Sequence, residues 1–376
     1  MKKFITLFLA LAAPVLAIAD GFERVPSRWE WVSGNKICFS DGENHFMVTA
    51  PKWVKTPCES FPESPVAETF APEGAENPVF SPDSSFVAFT RGGNLWIVDT
   101  ASGQEVALTS DGSDLVYNGY ASWVYYEEIF GRPSKYRAFW WSPDSGTIAF
   151  YRFDDSRVPM FPIYSPFGQD GSLRNTRYPK AGEPNPEVKI GFVDVRKAVS
   201  GKSNVVWADF DPSDDQYFGP PFWGADSKAF FVSREPRVQN TLDLYAVNPS
   251  DGAKKAIYHE TYPTWLDWMD GMLFGKDGLY MVRSFETGWE QIYYLSYDGK
   301  TLRRLTDGTN WKTQLVRLGD DGTVYFLARR DSDVRSALYA CDPKGNVTAL
   351  TDPSLNVSRV LFSPDGKYFA ASVSSL

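Results

Sequence analysis

Two adjacent carboxylates, Glu127 and Glu128, stand within an otherwise aromatic and aliphatic stretch, Trp-Val-Tyr-Tyr-Glu-Glu-Ile-Phe, at residues 123–130. Two carboxylates in a confined site can accept short, charge-assisted hydrogen bonds from a cation that carries several N–H donors. Adjacent carboxylates are also common on protein surfaces, where pairing with nearby cations stabilises little. The nearby cations here are Arg132, Lys135 and Arg137. The two glutamates alone leave both interpretations open.

The rest of the sequence offers no pattern for catalysis. A Gly-x-Ser-x-Gly nucleophile elbow is absent, and His45 and His259 stand in no catalytic context, so we interpret them as loop or blade residues. Two separated histidines and three scattered cysteines form no zinc-binding pattern. The acidic segments Asp111–Asp114 and Asp211–Asp215 suit calcium, but hairpin turns use the same residue types. We therefore predict no catalytic residue, no metal ligand and no cofactor within these 376 residues.

A two-part repeat must position the glutamates. Its first part is an aromatic residue followed by Ser-Pro-Asp and a hydrophobic strand, starting at Phe80, Trp141 and Phe362, with a degenerate copy at Trp223. Its second part is a hairpin with an Asp, Gly or Pro turn, as in residues 95–103, 242–252, 292–299 and 338–345. The hairpins that start at 242, 292 and 338 are 50 and 46 residues apart, which matches a four-stranded propeller blade of about 40 to 50 residues. The pattern predicts an all-β fold, a β-propeller of seven to eight four-stranded blades.

Two stretches interrupt this periodicity. Residues 110–137 hold the glutamate pair, and residues 152–189 are rich in Pro, Gly and Arg, as expected of a long functional loop. The last unit, Phe362–Val373, supplies only inner strands, so we expect an incomplete last blade unless a segment such as Trp29–Val48 completes it. No segment of residues 80–376 has a helical period of useful length.

The N-terminus has the features of a secretory signal peptide: Lys2 and Lys3, an apolar run to Leu16, and Ala17-Ile-Ala19. We predict cleavage near Ala19 and an exported protein in the periplasm or cell envelope. Removing residues 1–19 leaves 357 residues and moves the formal charge from -9 to -11, because Lys2 and Lys3 are lost. An acidic surface without basic clusters argues against a nucleic-acid partner. Cys38 and Cys58 could form a disulfide, which leaves Cys341 as a buried thiol.

The segments Trp123–Phe130, Trp140-Trp-Ser-Pro-Asp144 and Arg177-Tyr-Pro-Lys-Ala-Gly-Glu-Pro-Asn-Pro-Glu-Val188 together resemble the propeller of the dipeptidyl peptidase IV family, which are prolyl serine peptidases. The resemblance covers most of residues 80–376, is strongest over 119–190, and points to a bacterial member. It implies that residues 20–376 form the N-terminal β-propeller domain. The family's C-terminal α/β hydrolase domain, with its Ser-Asp-His triad, is absent from this sequence.

The resemblance also assigns residue roles. It implies that Glu127 and Glu128 bind the free amino terminus of an oligopeptide substrate, while Ile129 and Tyr126 are candidates for lining the neighbouring subsite or for packing. The family holds a substrate carbonyl with an arginine from an earlier blade. No matching arginine stands in residues 40–80, and each possible substitute also suits a structural role: Arg91, Arg132 and Arg137.

The implied function is part of a serine exopeptidase that releases Xaa-Pro or Xaa-Ala dipeptides, with the hydrolase domain in cis and a possible homodimer in the full-length form. We expect the chain alone not to hydrolyse a Gly-Pro chromogenic amide, and measurable turnover would contradict this. A stand-alone exported propeller that binds peptides or a protein partner is the alternative. A carbohydrate enzyme would need two carboxylates about 5 to 10 Å apart across a cavity, and no spacing selects such a pair.

Overall fold

In the computed structural model of the chain, the described residues are 3–9, 16–17, 26–62, 65–131, 136–202 and 204–375, the first two segments by their backbone only. The chain divides into two compact units, Met1–Ser64 with Asp270–Leu376, and Pro65–Met269. Each unit consists of antiparallel sheets, mostly of four strands, in which consecutive strands are neighbours. Such sheets are propeller blades. The all-β, β-propeller class that the repeats predict is confirmed.

The first strands of the chain belong to two sheets of the first unit. They are β1 (Lys3–Leu9), β2 (Leu16–Ala17), β3 (Arg28–Ser33), β4 (Lys36–Ser40), β5 (His45–Thr49) and β6 (Val54–Pro57). Strands β3 to β6 pair in sequence order as one sheet. The central residues Ile37, Cys38 and Phe39 of β4 have no exposed surface, so both faces of this strand are covered.

The unit Pro65–Met269 holds three blades and a separate hairpin. Its first blade comprises β7 (Glu76–Phe80), β8 (Phe86–Arg91), β9 (Asn94–Asp99) and β10 (Glu105–Ala107), after a 3-10 turn at Ala67–Thr69. Its second comprises β11 (Val116–Asn118), β12 (Phe139–Trp141), β13 (Thr147–Asp154), β16 (Glu187–Asp194) and β17 (Val205–Trp207), with the hairpin strands β14 (Met160–Ser165) and β15 (Ser172–Arg177) and the short helix α1 (Val195–Val199) between them. Its third comprises β18 (Gln216–Phe218), β19 (Phe222–Trp223), β20 (Phe230–Pro236), β21 (Thr241–Val247) and β22 (Lys254–Thr261).

The remaining strands return to the first unit. One blade comprises β23 (Leu273–Phe274), β24 (Gly278–Arg283), β25 (Gln291–Ser296) and β26 (Leu302–Arg304), and the next comprises β27 (Trp311–Leu318), β28 (Val324–Arg329), β29 (Ala337–Cys341) and β30 (Val347–Ala349). The last strands are β31 (Asn356–Phe362) and β32 (Tyr368–Ser374). Strand β32 pairs with β1 over seven residues, which gives the sheet order β2-β1-β32-β31.

The expectation of an incomplete last blade is wrong, because β31 and β32 form a four-stranded sheet with β1 and β2; Trp29–Val48, the segment considered for completing that blade, belongs to another sheet. Those residues pair with one another and with β6, because β4 finds a partner on each side within residues 28–57. The described part of residues 28–349 forms six sheets of four or five strands, and the seventh sheet combines β31 and β32 with the N-terminal strands. The predicted cleavage point at Ala19 lies outside the described residues.

Helices are few and short within the described ranges, as the sequence predicts. The α-helix Val195–Val199 has five residues, and the Asp194 carboxylate accepts a hydrogen bond from the Lys197 N–H at its N-terminus. None of the described helices has the length and apolarity that crossing a membrane would require.

The Ser-Pro-Asp motif forms the same turn at each full copy. The serine hydroxyl donates to the aspartate carboxylate at 2.6–2.7 Å and accepts the N–H that begins the following strand, as Ser142 does with Asp144 and Thr147. The residue after the aspartate has a positive φ, which is +61° at Ser84 and +60° at Ser145. This turn therefore fixes the entry to the central strand of each blade.

The same turns link neighbouring blades of the unit Pro65–Met269. The Asp83 N–H donates to the Ser145 hydroxyl of the next blade at 3.1 Å, and the Asp144 N–H donates to the Ser227 hydroxyl at 3.0 Å. The indole N–H of Trp141 donates to the carbonyl of Val79 at 3.2 Å, on the same pair of blades as the Ser145 contact. Trp141 is thus a cross-blade donor as well as a residue packed against the core.

Replacing Ser145 with Ala is expected to lower the free energy of unfolding by about 1 kcal/mol more than Ser84→Ala. Both serines have a left-handed backbone and pay the same conformational cost, but only Ser145 accepts the cross-blade hydrogen bond. Urea unfolding of the two variants measures the difference. Equal losses would contradict a stabilising role for this contact.

Candidate functional site

The predicted glutamates lie in a loop, residues 119–138, that leaves the second blade after β11 and returns to it at β12. We call it the glutamate loop. Its base is closed by hydrogen bonds from the Ala121 N–H to the Tyr136 carbonyl at 2.7 Å and from the Ala138 N–H to the Gly119 carbonyl at 2.9 Å. Gly119 has φ +74°, and a Cβ there would lie 3.2 Å from the Leu95 side chain. A glycine is therefore needed where the loop begins.

Glu127 and Glu128 occupy consecutive positions of a π-helical turn, Tyr125–Ile129. The Phe130 N–H donates to the Tyr125 carbonyl at 2.8 Å, five residues back, and the Tyr126 N–H donates to the Ser122 carbonyl at 2.9 Å. Glu127 is half-buried and Glu128 is exposed. Single π-turns are frequent at functional sites because they move side chains out of their regular helical positions.

Tyr125 anchors this turn in the protein interior. Its side chain has no exposed surface, and its ring centroid lies 4.9 Å from that of Phe153 on β13. Its hydroxyl accepts a hydrogen bond from the Phe218 N–H on the third blade at 3.0 Å. Tyr126 and then Glu127 follow Tyr125 directly in the chain. The anchoring side chain and the carboxylates are therefore rigidly connected.

Tyr126 belongs to a row of stacked rings on the other side of the turn. The Tyr126 and Tyr136 centroids are 3.6 Å apart at 14°, and those of Tyr136 and Tyr120 are 5.0 Å apart with parallel planes. Arg174, on the β14–β15 hairpin, lies beside the Tyr136 hydroxyl and 5.9 Å from the Trp123 ring. Burial raises the pKa of Tyr136, and Arg174 opposes that rise. Both chain insertions of the second blade therefore meet at this stack.

A buried carboxylate supports the start of the turn. Asp155 is 2% exposed, and one of its oxygens accepts a hydrogen bond from the Ser122 hydroxyl at 3.1 Å. Its other oxygen, Oδ1, has no hydrogen-bond partner among the described residues. Burial raises the pKa of Asp155 to about 6, although the Ser122 hydroxyl and the charge of Arg177 act in the opposite direction. Asp155 thus holds Ser122, whose carbonyl receives the first hydrogen bond of the turn.

A cleft of about 360 Å³ opens beside the tyrosine stack. Tyr117 and Tyr120 line one part, and the Gly92–Gly93 turn between β8 and β9 lines another. Glu76 and Asp114 add carboxylates to the lining. A Cβ on Gly93 would lie 2.8 Å from the Ser113 N, so this wall requires glycine. The cleft is aromatic and acidic, and it shares Tyr120 with the stack.

The arginines considered from sequence have different surroundings. Arg91 also lines the cleft, but it forms an ion pair with Glu105 at 2.5 Å and lies 4.5 Å from the Trp96 ring centroid, so it has a structural role. Arg137 is half-buried, and no ion pair joins it to a described residue. Arg132 and Lys135 lie outside the described residues. Ile129 and Tyr126 are half-buried and pack against the core cluster that contains Tyr125.

The acidic segments considered for calcium are occupied by local contacts. Asp111 accepts hydrogen bonds from the Arg152 guanidinium at 2.7 Å and from the Asn118 amide at 2.9 Å. Asp211 accepts from the Ser213 hydroxyl and N–H. No group of three or more potential metal ligands occurs in the described part of the chain. These aspartates serve as turn and pairing residues.

Comparison with known families identifies the domain. The family model described as the dipeptidyl peptidase IV N-terminal region matches residues 52–376. The chain belongs to this family. A probable dipeptidyl-aminopeptidase B of Emericella nidulans is 30% identical over 326 residues, and the match covers 78% of this chain and 35% of the relative. A probable dipeptidyl peptidase 4 of the same organism is 29% identical over 315 residues, covering 77% and 39%.

Solved structures agree with the family assignment. The crystal structure of Porphyromonas gingivalis dipeptidyl peptidase 4 superimposes with a TM-score of 0.68 at 25% identity, over 93% of this chain and 49% of that one. A putative dipeptidyl aminopeptidase IV from Bacteroides ovatus shares the fold, with a TM-score of 0.63 at 20% identity. The chain spans a little over a third of the length of the curated relatives and about half of the crystallised chains.

Three residues of the site were not found from sequence: Ser122, Asp155 and Arg174. Asp155 follows a strand in Phe-Asp-Asp-Ser, where either aspartate suits a turn, and only its burial distinguishes it from Asp154. Arg174 lies in a segment expected to be a loop, but this segment is the β14–β15 hairpin. The alternation of Met160 to Ser165 is a strand signal that the Pro- and Gly-rich composition obscured.

Replacing Asp155 with Asn tests whether this carboxyl is protonated on folding. Because its folded pKa, about 6, is above its ordinary 3.8, its contribution to stability is fully present below about pH 4 and is lost as the pH rises through about 6. We expect the wild-type free energy of unfolding to fall between pH 4.5 and pH 7, by up to ~2 kcal/mol relative to the variant. Unfolding in urea across this range measures it.

Asp154→Asn is the matched control, since hydrogen bonds with Ser156 lower the pKa of Asp154 despite partial burial. The contribution of Asp154 to the free energy of unfolding changes with pH only below the usual pKa range of an aspartate. The free energy of unfolding of this variant is therefore expected to change with pH as that of the wild type does between pH 4.5 and pH 7. An identical slope in Asp155→Asn would show that Asp155 stays ionised in the folded chain.

Proposed function

We propose that this chain is the part of a dipeptidyl peptidase IV-like serine exopeptidase that binds the amino terminus of oligopeptide substrates. Glu127 and Glu128 would accept hydrogen bonds from the peptide's terminal ammonium. The observation that carries the proposal is that both carboxylates lie on one anchored turn in a chain of this family. Glu127 is half-buried there and Glu128 is exposed.

The surroundings of the turn support this role. An ammonium offers three donors, and two carboxylates held by a buried anchor pay little conformational entropy to receive them. Tyr125 fixes the turn from inside through the Phe218 N–H, and Tyr126 fixes it from the other side through the ring of Tyr136. The cleft beside Tyr120 provides room for side chains of the bound peptide.

Peptide cleavage is proposed to require the further length that the relatives possess. A clamp on the terminal ammonium sets a fixed distance to the cleaved bond, which explains release of dipeptides, with Pro or Ala second from the amino terminus. The serine, aspartate and histidine would come from a hydrolase domain in cis. Arg174 supplies a cation beside the same tyrosine stack, and we propose it as a candidate partner for a substrate carbonyl. We also propose export to the periplasm or cell envelope, on the basis of the N-terminal sequence; cleavage near Ala19 would remove β1 and β2 and leave β31 and β32 as a two-stranded sheet in the exported chain.

The proposal is tested by calorimetric titration of the chain with Ala-Pro-Ala and with its N-acetylated form. Free peptide is expected to bind roughly 10- to 100-fold more tightly, because acetylation removes the positive charge and two donors. Binding is expected to weaken above about pH 8, as the peptide amine loses its proton. Equal affinity for both peptides would refute the clamp.

Charge-removing variants locate the binding groups. Glu127→Gln and Glu128→Gln are each expected to reduce the preference for the free amine, and the double variant is expected to abolish it. Glu43→Gln, at an exposed position of another blade, is the matched control and should leave affinity unchanged. Retained preference in the double variant would place amine binding elsewhere.

A further inference from the structure

A short segment crosses one face of the blade formed by β3 to β6. We call this segment, residues 58–61, the strap. Its first residue continues the pairing of β6, since the Cys58 N–H donates to the His45 carbonyl at 3.0 Å. Its last residue, Phe61, is 7% exposed and lies 4.4 Å from the Arg28 guanidinium on β3 and 6.5 Å from the His45 ring on β5. The strap therefore runs from β6 back towards β3.

This path brings two cysteines together. Cys38 lies in the middle of β4 with no exposed surface, whereas Cys58 is half-exposed. Their sulfur atoms are 3.6 Å apart, although the residues are separated by 20 positions and β5 lies between β4 and β6, the strand that Cys58 follows. A disulfide needs a sulfur separation of about 2.05 Å. Rotation of the Cys58 side chain at the edge of the sheet can supply the remaining approach.

We propose that Cys38 and Cys58 form a disulfide that fastens the strap to β4 when the folded chain meets a disulfide oxidant. The bond would close a loop that contains β5 and β6. It would connect the buried centre of the blade to a segment that, among the described residues, is held by one backbone hydrogen bond and the packing of Phe61.

The order of the two exchange steps follows from burial. Burial raises the pKa of Cys38 to about 12, with the neighbouring Cys58 thiol as a further cause. The accessible Cys58 thiolate attacks a small disulfide such as oxidised glutathione, forms a mixed disulfide and releases one thiolate. Cys38 then loses its proton and attacks the Cys58 sulfur, which releases the second thiolate. Two electrons and two protons pass from the cysteines to the oxidant, giving one protein disulfide and two thiols.

Cys341 provides an internal comparison. It is buried, its sulfur lies 4.0 Å from the Leu305 carbonyl oxygen, and burial raises its pKa to about 11. No second thiol lies against it, since the sequence has only three cysteines and the other two face each other. It is expected to remain a thiol under the same treatment.

The test is incubation of the folded 376-residue chain in a buffer of reduced and oxidised glutathione, followed by denaturation, alkylation and peptide mass mapping. We expect one alkylated cysteine, Cys341, and a linked peptide pair that contains Cys38 and Cys58. Reduction before alkylation should yield three alkylated cysteines. Three alkylated cysteines without reduction, a bridge to Cys341, or only glutathione adducts would each overturn the proposal.

Stability and proteolysis supply a second readout. Oxidation is expected to raise Tm by about 3 to 8 °C and to slow cleavage within the strap. Cys58→Ser should lose both effects, and Cys341→Ser, the matched control, should keep them. Should Cys58→Ser fail to fold, the mass map of the wild-type chain still decides the question.

Discussion

The hydrogen bond between the Phe218 N–H and the Tyr125 hydroxyl is the contact on which the candidate site depends. It lies where Tyr125 has no exposed surface, so neither group can turn to water if the other moves. Loss of such a buried partner costs about 1 to 3 kcal/mol, which favours a single position for the turn. Because Glu127 and Glu128 follow Tyr125 by two and three residues, fixing the turn also fixes their positions.

The opposite side of the turn is held by weaker and more adaptable contacts. The stacking of Tyr126 on Tyr136 depends only weakly on the direction of approach. Tyr136 in turn contacts Arg174, which lies on a hairpin with several exposed apolar residues. Asp155 accepts a hydrogen bond from the Ser122 hydroxyl, and the Ser122 carbonyl accepts one from the Tyr126 N–H. The charge of Asp155 depends on pH. The carboxylates are thus fixed from the core, while the rim of the site is held by more adaptable contacts.

The sequence predicted the blades well because their determinants are local. Ser142, Asp144 and the positive-φ Ser145 make a turn whose hydrogen bonds lie within a few residues, so the motif and the structure coincide. The pairing of β32 with β1 and the burial of Asp155 depend on residues far apart in the chain, and no local pattern encodes them. The role proposed for Glu127 and Glu128 rests on resemblance, since two adjacent glutamates alone would equally suit a solvated surface.

The two ends of each blade in the unit Pro65–Met269 carry different tasks. Since consecutive strands are antiparallel, the Ser-Pro-Asp turns lie at one end, and the β8–β9 turn and the β14–β15 hairpin lie at the other, whereas the glutamate loop leaves the second blade part-way along β13, opposite Tyr151. Cross-blade hydrogen bonds from Asp83 and Trp141 secure the first end. The other connections differ more between blades, from the two glycines at 92–93 to the long insertions of the next blade. These connections also join blades, through the hydrogen bonds from the Phe218 N–H to the Tyr125 hydroxyl and from the Arg237 guanidinium to the Glu183 carbonyl, so a change of loop there would alter the site and the contact between blades together.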